Sequence, residues 1–198
     1  MTEDAGQPRK SIGARRNPAS ADAIRDAAEA ILCEAGYAGF SIEAVARRAR
    51  AGKPTIYRWW PSKAALLLEV YHRQKGDVFD PDSGSLEEDV FLFLRSLFRL
   101  WRETPAGNTF KSILAEAQTD TAAAEAVKAY RADRLVHTSR IIERARARGE
   151  VRDDVDPLLA ADLIASFAWS HLLVDALADD IDLFRKAARH LCGSWAPQ

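Results

Sequence analysis

The chain has 198 residues, of which 47% are hydrophobic and 29% charged, with 10 glycines, 8 prolines, 2 cysteines and a formal net charge of -1. This composition excludes a disordered, collagen-like or disulfide-stabilised chain and allows one or two compact domains with a substantial core. No apolar run approaches the ~18 residues of a membrane span, and the first residues hold no secretory apolar segment. We therefore expect a soluble, cytoplasmic protein with no membrane partner.

The charge is unevenly distributed along the chain. Residues 1–75 carry 13 lysines and arginines against 8 aspartates and glutamates, whereas residues 76–198 carry 15 against 21. A basic N-terminal part followed by an acidic remainder suggests that the N-terminal part, which we call the head, binds a polyanion. The alternative at this point is that the cations only solvate exposed helix faces.

Apolar residues recur with the helical period throughout, and no run alternates as a strand would, so we predict an all-α fold. After a basic, flexible arm (residues 1–19), the first helix is predicted to begin near Ser20 and to stop at Gly36. A short second helix follows, capped by Ser41 and ending by Ala49.

A third helix is predicted to begin around Lys53 and Pro54, because proline is tolerated in the first turn of a helix. It ends before Trp60, since a residue that precedes a proline is pushed out of the helical region. Pro61 then starts a fourth helix. Two short helices joined by a tight connection, the second with exposed cations and hydroxyls, are typical of a helix-turn-helix.

The residues of this motif resemble those of a known family. The stretch from Phe40 to Leu68, with KPTIYR at 53–58 and WPSK at 60–63, closely resembles the DNA-binding head of tetracycline-repressor-like (TetR/AcrR) transcriptional regulators. The resemblance implies a three-helix DNA-binding head with a helix-turn-helix (20–75), then a larger helical domain (76–198) that binds an effector and dimerises. It implies a nucleoid-associated homodimer, a repressor released from a palindromic double-stranded operator by a small, largely apolar effector. The residues themselves show no P-loop, no G-x-G-x-x-G and no second spaced pair of metal ligands, so we expect no enzyme activity, cofactor or metal.

The matching motif also assigns candidate DNA contacts. Lys53, Pro54, Thr55 and Trp59 are expected to face the major groove, and Tyr57, Arg58 and Lys63 the phosphate backbone. Ser41 begins a helix whose N-terminus suits a phosphate, and Arg15 and Arg16 of the arm suit the minor groove or phosphates. For Tyr57 the alternative is a ring packed on the head's core, and for the arm a tail without a role.

One residue of the turn departs from the family pattern. Arg50 stands where relatives commonly have glycine, and only glycine adopts the left-handed conformation freely. We therefore predict a strained or locally altered turn.

The remaining helices are predicted from caps and breakers. They follow a turn-rich joint (76–84) and span Ser85 to Trp101, Phe110 to Ala117, Thr121 to Arg148, Asp156 to about Ala178, and Ile181 to Leu191. Ser85 and Glu88 form a predicted capping box, and Gly149 a left-handed cap. The total is about nine helices.

The body is richer in aromatic residues than a minimal core requires, which is typical of a ligand pocket. The candidate ligand contacts are Phe91, Phe98, Trp101, Phe110, Tyr130, His137, Phe167 and His171. The last two helices are apolar on more than one face, which predicts a two-fold dimer. The candidate interface residues are Leu158, Ile164, Trp169, Leu172, Leu173, Phe184 and Leu191. Ordinary core packing is the alternative for many of these side chains.

Two other functions stay open at this point. One is a helical ligand- or partner-binding module with a vestigial DNA-binding head. The other is a metal-dependent helical-bundle enzyme, for which His171 and Asp175 stand four residues apart. A histidine satisfied by an aspartate one turn later is the simpler interpretation of that pair.

Overall fold

The computed structural model of the chain describes residues 18–75 and 80–197, which form nine α-helices and no strand. The helices are α1 (Pro18–Gly39), α2 (Ile42–Arg48), α3 (Lys53–Trp59), α4 (Lys63–Lys75), α5 (Leu86–Glu103), α6 (Ala106–Glu116), α7 (Thr121–Ala147), α8 (Pro157–Leu173) and α9 (Ile181–Gly193). The all-α prediction is confirmed. Nothing in this described part has a helix both long and apolar enough to span a membrane.

The head is built from α1, α2 and α3, which pack around one shared core. Ile24 and Leu32 of α1, Val45 of α2 and Ile56 of α3 are buried there, together with Trp60 just after α3. The four side chains on α1, α2 and α3 lie on the apolar stripes of their helices, so burial of the stripes fixes the relative orientation of the three helices.

The first helix differs slightly from its prediction. It begins at Pro18 rather than Ser20 and continues to Gly39, but Gly36 interrupts it with φ 62° and ψ -171°. Only glycine adopts this conformation without strain, so the predicted stop is present as a kink instead of an end.

α4 connects the head to the body, because it packs against α1 on one side and against α6 and α7 on the other. It begins at Lys63 rather than Pro61. The reason is that Ser62 Oγ accepts a hydrogen bond from the Ala65 amide (3.0 Å) and so caps the helix. The body's other main packing pairs are α7 with α8 and α5 with α9.

Local signals set most ends of the body helices. Ser85 Oγ accepts from the Glu88 amide (3.5 Å), and Gly149 adopts a left-handed φ of 81° after α7. The capping box is only half formed, because the Ser85 amide donates to Ser83 Oγ and the Glu88 carboxylate pairs with Arg185 of α9.

Two body helices have bounds other than those predicted. α6 begins at Ala106, directly after Pro105, and not at Phe110. α8 ends at Leu173 instead of about Ala178, since the chain leaves the helix there and Asp175 turns to a left-handed φ of 59°.

Candidate nucleic-acid interface and ligand cavity

The α2–α3 motif is held by its caps and its buried face. Ser41 Oγ accepts from the Ala44 amide (3.1 Å) and caps α2, while Ile56 anchors α3 in the core. Between the two helices, Arg50 has φ 51° and the Ala51 amide donates to the Ala46 carbonyl (3.0 Å). Of the two forms predicted for this turn, strained or locally altered, the structure therefore has the strained one, with Arg50 left-handed.

The outward face of α3 carries the side chains of Lys53, Pro54, Tyr57 and Arg58. Tyr57 keeps 48% of its surface in solvent, which disfavours the interpretation of a ring packed on the core. Thr55 is half-buried beside them. The face combines two cations, a phenol and a hydroxyl, which are the groups that contact phosphates and base edges.

Carboxylates of the head pair with several of its cations, including one on α2 and one on α3. Lys53 donates to Glu43 of α2, and Arg48 forms two hydrogen bonds with Glu34 of α1 (2.5 and 2.7 Å). The hydrogen bond from Lys53 lowers the pKa of the Glu43 carboxyl, and the same bond raises the pKa of Lys53. A polyanion that binds Lys53 therefore competes with Glu43 for its ammonium.

Two expected DNA contacts lie elsewhere in the unbound chain. Trp59 is half-buried and packs against the head's core, with its ring centroid 6.2 Å from that of Trp60. Lys63 Nζ lies 4.2 Å from the ring centroid of Tyr37 and 3.5 Å from Glu116 Oε2 on α6. Trp59 is thus part of the head's packing, and Lys63 bridges the head and the body.

Burial shifts the pKa values of both Lys63 and Glu116. It lowers the pKa of the Lys63 ammonium and raises the pKa of the Glu116 carboxyl, because desolvation outweighs attraction across 3.5 Å.

The expected arm contacts Arg15 and Arg16 lie outside the described residues.

A small cavity, which we call the aromatic cavity, lies among α4, α5, α6, α7 and α8. Of the expected ligand contacts, Trp101, Phe110 and Tyr130 line it, and so does Trp169, which was assigned to the dimer interface. Its volume is about 30 Å³, enough for one water molecule.

A buried hydrogen-bond network closes one wall of the aromatic cavity. The Trp101 indole donates to the Tyr71 oxygen (2.7 Å), and Tyr71 stacks on Phe110 with ring centroids 4.8 Å apart. Tyr130 packs edge-on against Tyr71 at 5.8 Å. Burial raises the pKa of both phenols, so both stay neutral. The network connects α4 to α5, α6 and α7.

The sequence did not single out the polar lining of this cavity. Lys75, Arg131, Arg134 and Thr138 contribute to its wall. The spacing offered a signal, because Lys75 follows Tyr71 by one helical turn and Arg134 follows Tyr130 by one turn.

Several expected ligand contacts are packing residues instead. Phe91 lies under the Arg185 guanidinium (3.5 Å to the ring centroid), and Phe98 packs on Phe184 (4.8 Å) in the core between α5 and α9. His171 and Phe167 stack on each other at 4.3 Å. These side chains do not reach the aromatic cavity, since they belong to the opposite side of α5 and α8. His137 is half-buried on α7, also outside it.

A second, open space lies between α4 and α7, and we call it the α4–α7 cleft. Its volume is about 580 Å³, within the range of ligand pockets. Ala65 and Leu68 of α4 face Ala126 and Ala129 of α7 across it. Tyr130 lines both the cleft and the aromatic cavity, so its ring separates the two spaces.

The exposed face of α8 carries four leucines, together with Ser166 and Ser170. Leu158 and Leu173 are exposed as an interface residue should be, and Leu159 and Leu163 extend the same surface. Leu191 of α9 is half-buried.

Three expected interface residues lie on the buried side of their helices, towards the core of the subunit. Ile164, Leu172 and Phe184 have no exposed surface in the subunit. They cannot contact a partner, because they fill the subunit's own core.

The pair considered for a metal is engaged in other contacts. His171 Nδ1 lies 2.8 Å from the Phe167 carbonyl, and Asp175 pairs with Lys111 of α6 (2.7 Å). The interpretation that Asp175 satisfies His171 is therefore wrong. Over residues 18–75 and 80–197, no three His, Cys, Asp or Glu side chains group as metal ligands would.

Comparison with known proteins matches both parts of the chain. Residues 24–70 match the family model "Bacterial regulatory proteins, tetR family", and residues 80–191 match "Tetracyclin repressor-like, C-terminal domain". The second match alone spans more than half of the chain.

Individual proteins give the same result. The chain is 31% identical over 166 residues to an uncharacterized HTH-type transcriptional regulator of Mycobacterium tuberculosis, covering 77% of this chain and 81% of that protein. It is 29% identical over 153 residues to the DNA-binding transcriptional repressor TetR of Mycobacteroides abscessus, covering 76% and 80%. The crystal structure of the TetR family transcription regulator SCO0332 superposes with a TM-score of 0.77 at 28% identity, covering 90% of this chain and 99% of that one. The chain therefore belongs to the tetracycline-repressor-like family and is a helix-turn-helix transcriptional regulator.

Proposed function

We propose that this regulator is a homodimeric repressor that binds a palindromic operator through α2 and α3 and leaves it when a small molecule binds the body. The observation that carries the proposal is the outward face of α3, where Lys53, Tyr57 and Arg58 are exposed while Ile56 on the opposite side is buried. Such a helix places its polar face in the major groove.

The chemistry of α3 supports roles for individual residues. Lys53 and Thr55 in the first turn suit base edges, since N-terminal residues of a recognition helix enter the groove. Tyr57 and Arg58 suit phosphates. Lys63 reaches a phosphate only by leaving Glu116, so DNA binding and the head–body contact compete for its ammonium.

The exposed leucines of α8 support the dimer. Leu163 at mid-helix keeps 46% of its surface in solvent and Leu173 keeps 58%. Several large exposed leucines on one helix are typical of a subunit interface. A two-fold dimer also supplies two copies of α3, which must lie about 34–36 Å apart to read successive turns of one duplex face.

The effector is proposed to act through α4. Tyr71 and Lys75 of α4 form one wall of the aromatic cavity, and α4 also packs against α1 of the head. The cavity holds only about 30 Å³, so a bound molecule must displace a wall. A displaced α4 changes the separation of the two α3 helices, and the effector then favours the arrangement that binds DNA less well.

Leu163→Lys tests the dimer and the operator together. Sedimentation of the variant should show a monomer, because the substitution places a charge among the exposed leucines of α8. Its affinity for duplex DNA should fall towards that of a single head. Lys186→Met, on an exposed part of α9, is the matched control and should remain a dimer. A monomeric wild-type protein that still binds an inverted repeat with full affinity would contradict the proposal.

A further inference from the structure

Glu116 of α6 pairs with a cation of the head. Lys63 is the first residue of α4, and its ammonium lies between the Tyr37 ring of α1 (4.2 Å to the ring centroid) and Glu116 Oε2 (3.5 Å). α6 belongs to the body, because it packs against α5, α7 and α8 as well as against α4 and α1. The contact therefore joins a carboxylate of the body to a head residue that is expected to bind a phosphate.

The pair is weakly held in the unbound protein. Its N–O separation of 3.5 Å is longer than that of a charge-assisted hydrogen bond, which is typically about 2.7–2.9 Å. Within residues 18–75 and 80–197, the buried Oε2 atom of Glu116 and the buried hydroxyl of Tyr37 have no hydrogen-bond partner. Burial disfavours both charges, since it lowers the pKa of Lys63 and raises the pKa of Glu116. A phosphate can therefore replace this carboxylate at Lys63.

The release of Lys63 leaves the Glu116 carboxylate in an unfavourable place. Asp120, the N-cap of α7, raises the pKa of the Glu116 carboxyl further, because it carries a charge of the same sign. In the part of the chain that the structure describes, no second cation pairs with Glu116. A partly buried charge that loses its partner is destabilising. DNA binding through Lys63 must therefore offset the loss of this contact.

We propose that Glu116 sets the affinity of the protein for DNA, because it competes with the phosphate backbone for the Lys63 ammonium. The contact holds Lys63 against the body in the free protein, and its loss opposes binding. Glu116 is thus a positioning residue that acts through Lys63. The inference rests on the proposed function, in which Lys63 reaches a phosphate by leaving Glu116.

The test measures DNA affinity by fluorescence anisotropy, with the full-length protein and a labelled duplex of about three helical turns. No operator sequence is needed, because a phosphate contact strengthens binding to all sequences. Glu116→Gln keeps the shape of the side chain and removes its charge. The variant should bind the duplex about two- to fivefold more tightly per head, which is the range of a weak ion pair.

A double-mutant cycle assigns the gain to Lys63. Lys63→Met should weaken DNA binding, and Glu116→Gln should give no gain in the Lys63→Met background. Glu125→Gln is the matched control, because Glu125 also pairs with a lysine, but with Lys128 of its own helix (2.7 Å). This control removes the same charge from the body and should leave the DNA affinity unchanged.

Urea denaturation of the same proteins separates affinity from folding. Glu116→Gln should have the denaturation midpoint of the wild-type protein, because it removes a charge that burial disfavours. Glu116→Met is a second neutral variant, which cannot accept a hydrogen bond from Lys63. It should bind the duplex at least as tightly as Glu116→Gln.

The outcomes separate this inference from the proposed function. Unchanged affinity in both Glu116 variants, an equal gain in Glu125→Gln, or a gain that persists in the Lys63→Met background would overturn the competition. Binding that Lys63→Met leaves unchanged would also overturn it, while the role of α3 would stand. A wild-type protein that binds no duplex would contradict the DNA-binding role itself, and the inference with it.

Discussion

Tyr71→Phe removes one oxygen from the centre of the network that connects α4 to the body. The phenylalanine ring can keep its stacking on Phe110, so the change isolates the hydrogen bonds. The Trp101 indole N–H, which donates to the Tyr71 oxygen at 2.7 Å, would be left without an acceptor. Both side chains are almost fully buried, so the indole N–H loses its protein acceptor at a place that bulk solvent does not reach.

The expected loss of stability follows from that burial. A buried donor without its partner destabilises a protein by about 1–3 kcal/mol. In a chain of this length, each kcal/mol lowers the melting temperature by about 2–4 °C. The effect exceeds that of a typical surface substitution, which is within about 0.5 kcal/mol.

Urea denaturation at a fixed protein concentration measures the difference, since the stability of a dimer depends on concentration. Tyr57→Phe is the matched control, because it removes the same oxygen from an exposed ring. It should leave the free energy of unfolding unchanged and weaken DNA binding. A Tyr71→Phe variant as stable as the Tyr57→Phe variant would refute the role assigned to the network.

Two further predictions concern the head and the body. The Glu43→Gln variant should bind DNA more tightly than the wild-type protein when binding is followed by fluorescence anisotropy, because the substitution removes the carboxylate that competes with phosphates for Lys53. Weaker binding would instead indicate that Glu43 accepts a hydrogen bond from a base. Gly107→Ala should destabilise the protein by about 1–3 kcal/mol in urea, because a Cβ there would lie 2.4 Å from the Trp101 carbonyl oxygen. Gly193→Ala, where a Cβ meets nothing within 4 Å, is its control, and equal stability of the two variants would contradict this packing argument.

Much of the fold follows from local chemistry, which the sequence displays directly. Ser41 and Asp156 cap helices where they were expected to, and Gly149 turns left-handed after α7. Capping depends on residues within one turn of each other, so no knowledge of the packing was needed. At Arg50 the sequence predicted a strained or locally altered turn, and the structure has the strained, left-handed form.

The sites depend on contacts between distant helices, and there the sequence was a weaker guide. Ile164 and Leu158 of α8 are equally apolar, yet one fills the subunit core and the other is exposed. Helical periodicity identifies two apolar faces but not which of them meets the rest of the subunit. Lys75 ends an amphipathic helix and so looks like a solvated cation, but α5 and α7 bury it. The position of Lys63 likewise depends on Glu116, 53 residues further along the chain.

Selection of random duplex DNA by the full-length protein, followed by titration of the selected sequence over a range of salt concentrations, tests the central claim most directly. We predict an inverted repeat bound by two chains, with half-sites one helical turn apart or a multiple of it. The affinity should fall steeply with salt, by a log–log slope of about -0.9 for each phosphate contacted. Failure to enrich any sequence, with weak binding that salt abolishes, would contradict the account and favour a vestigial head.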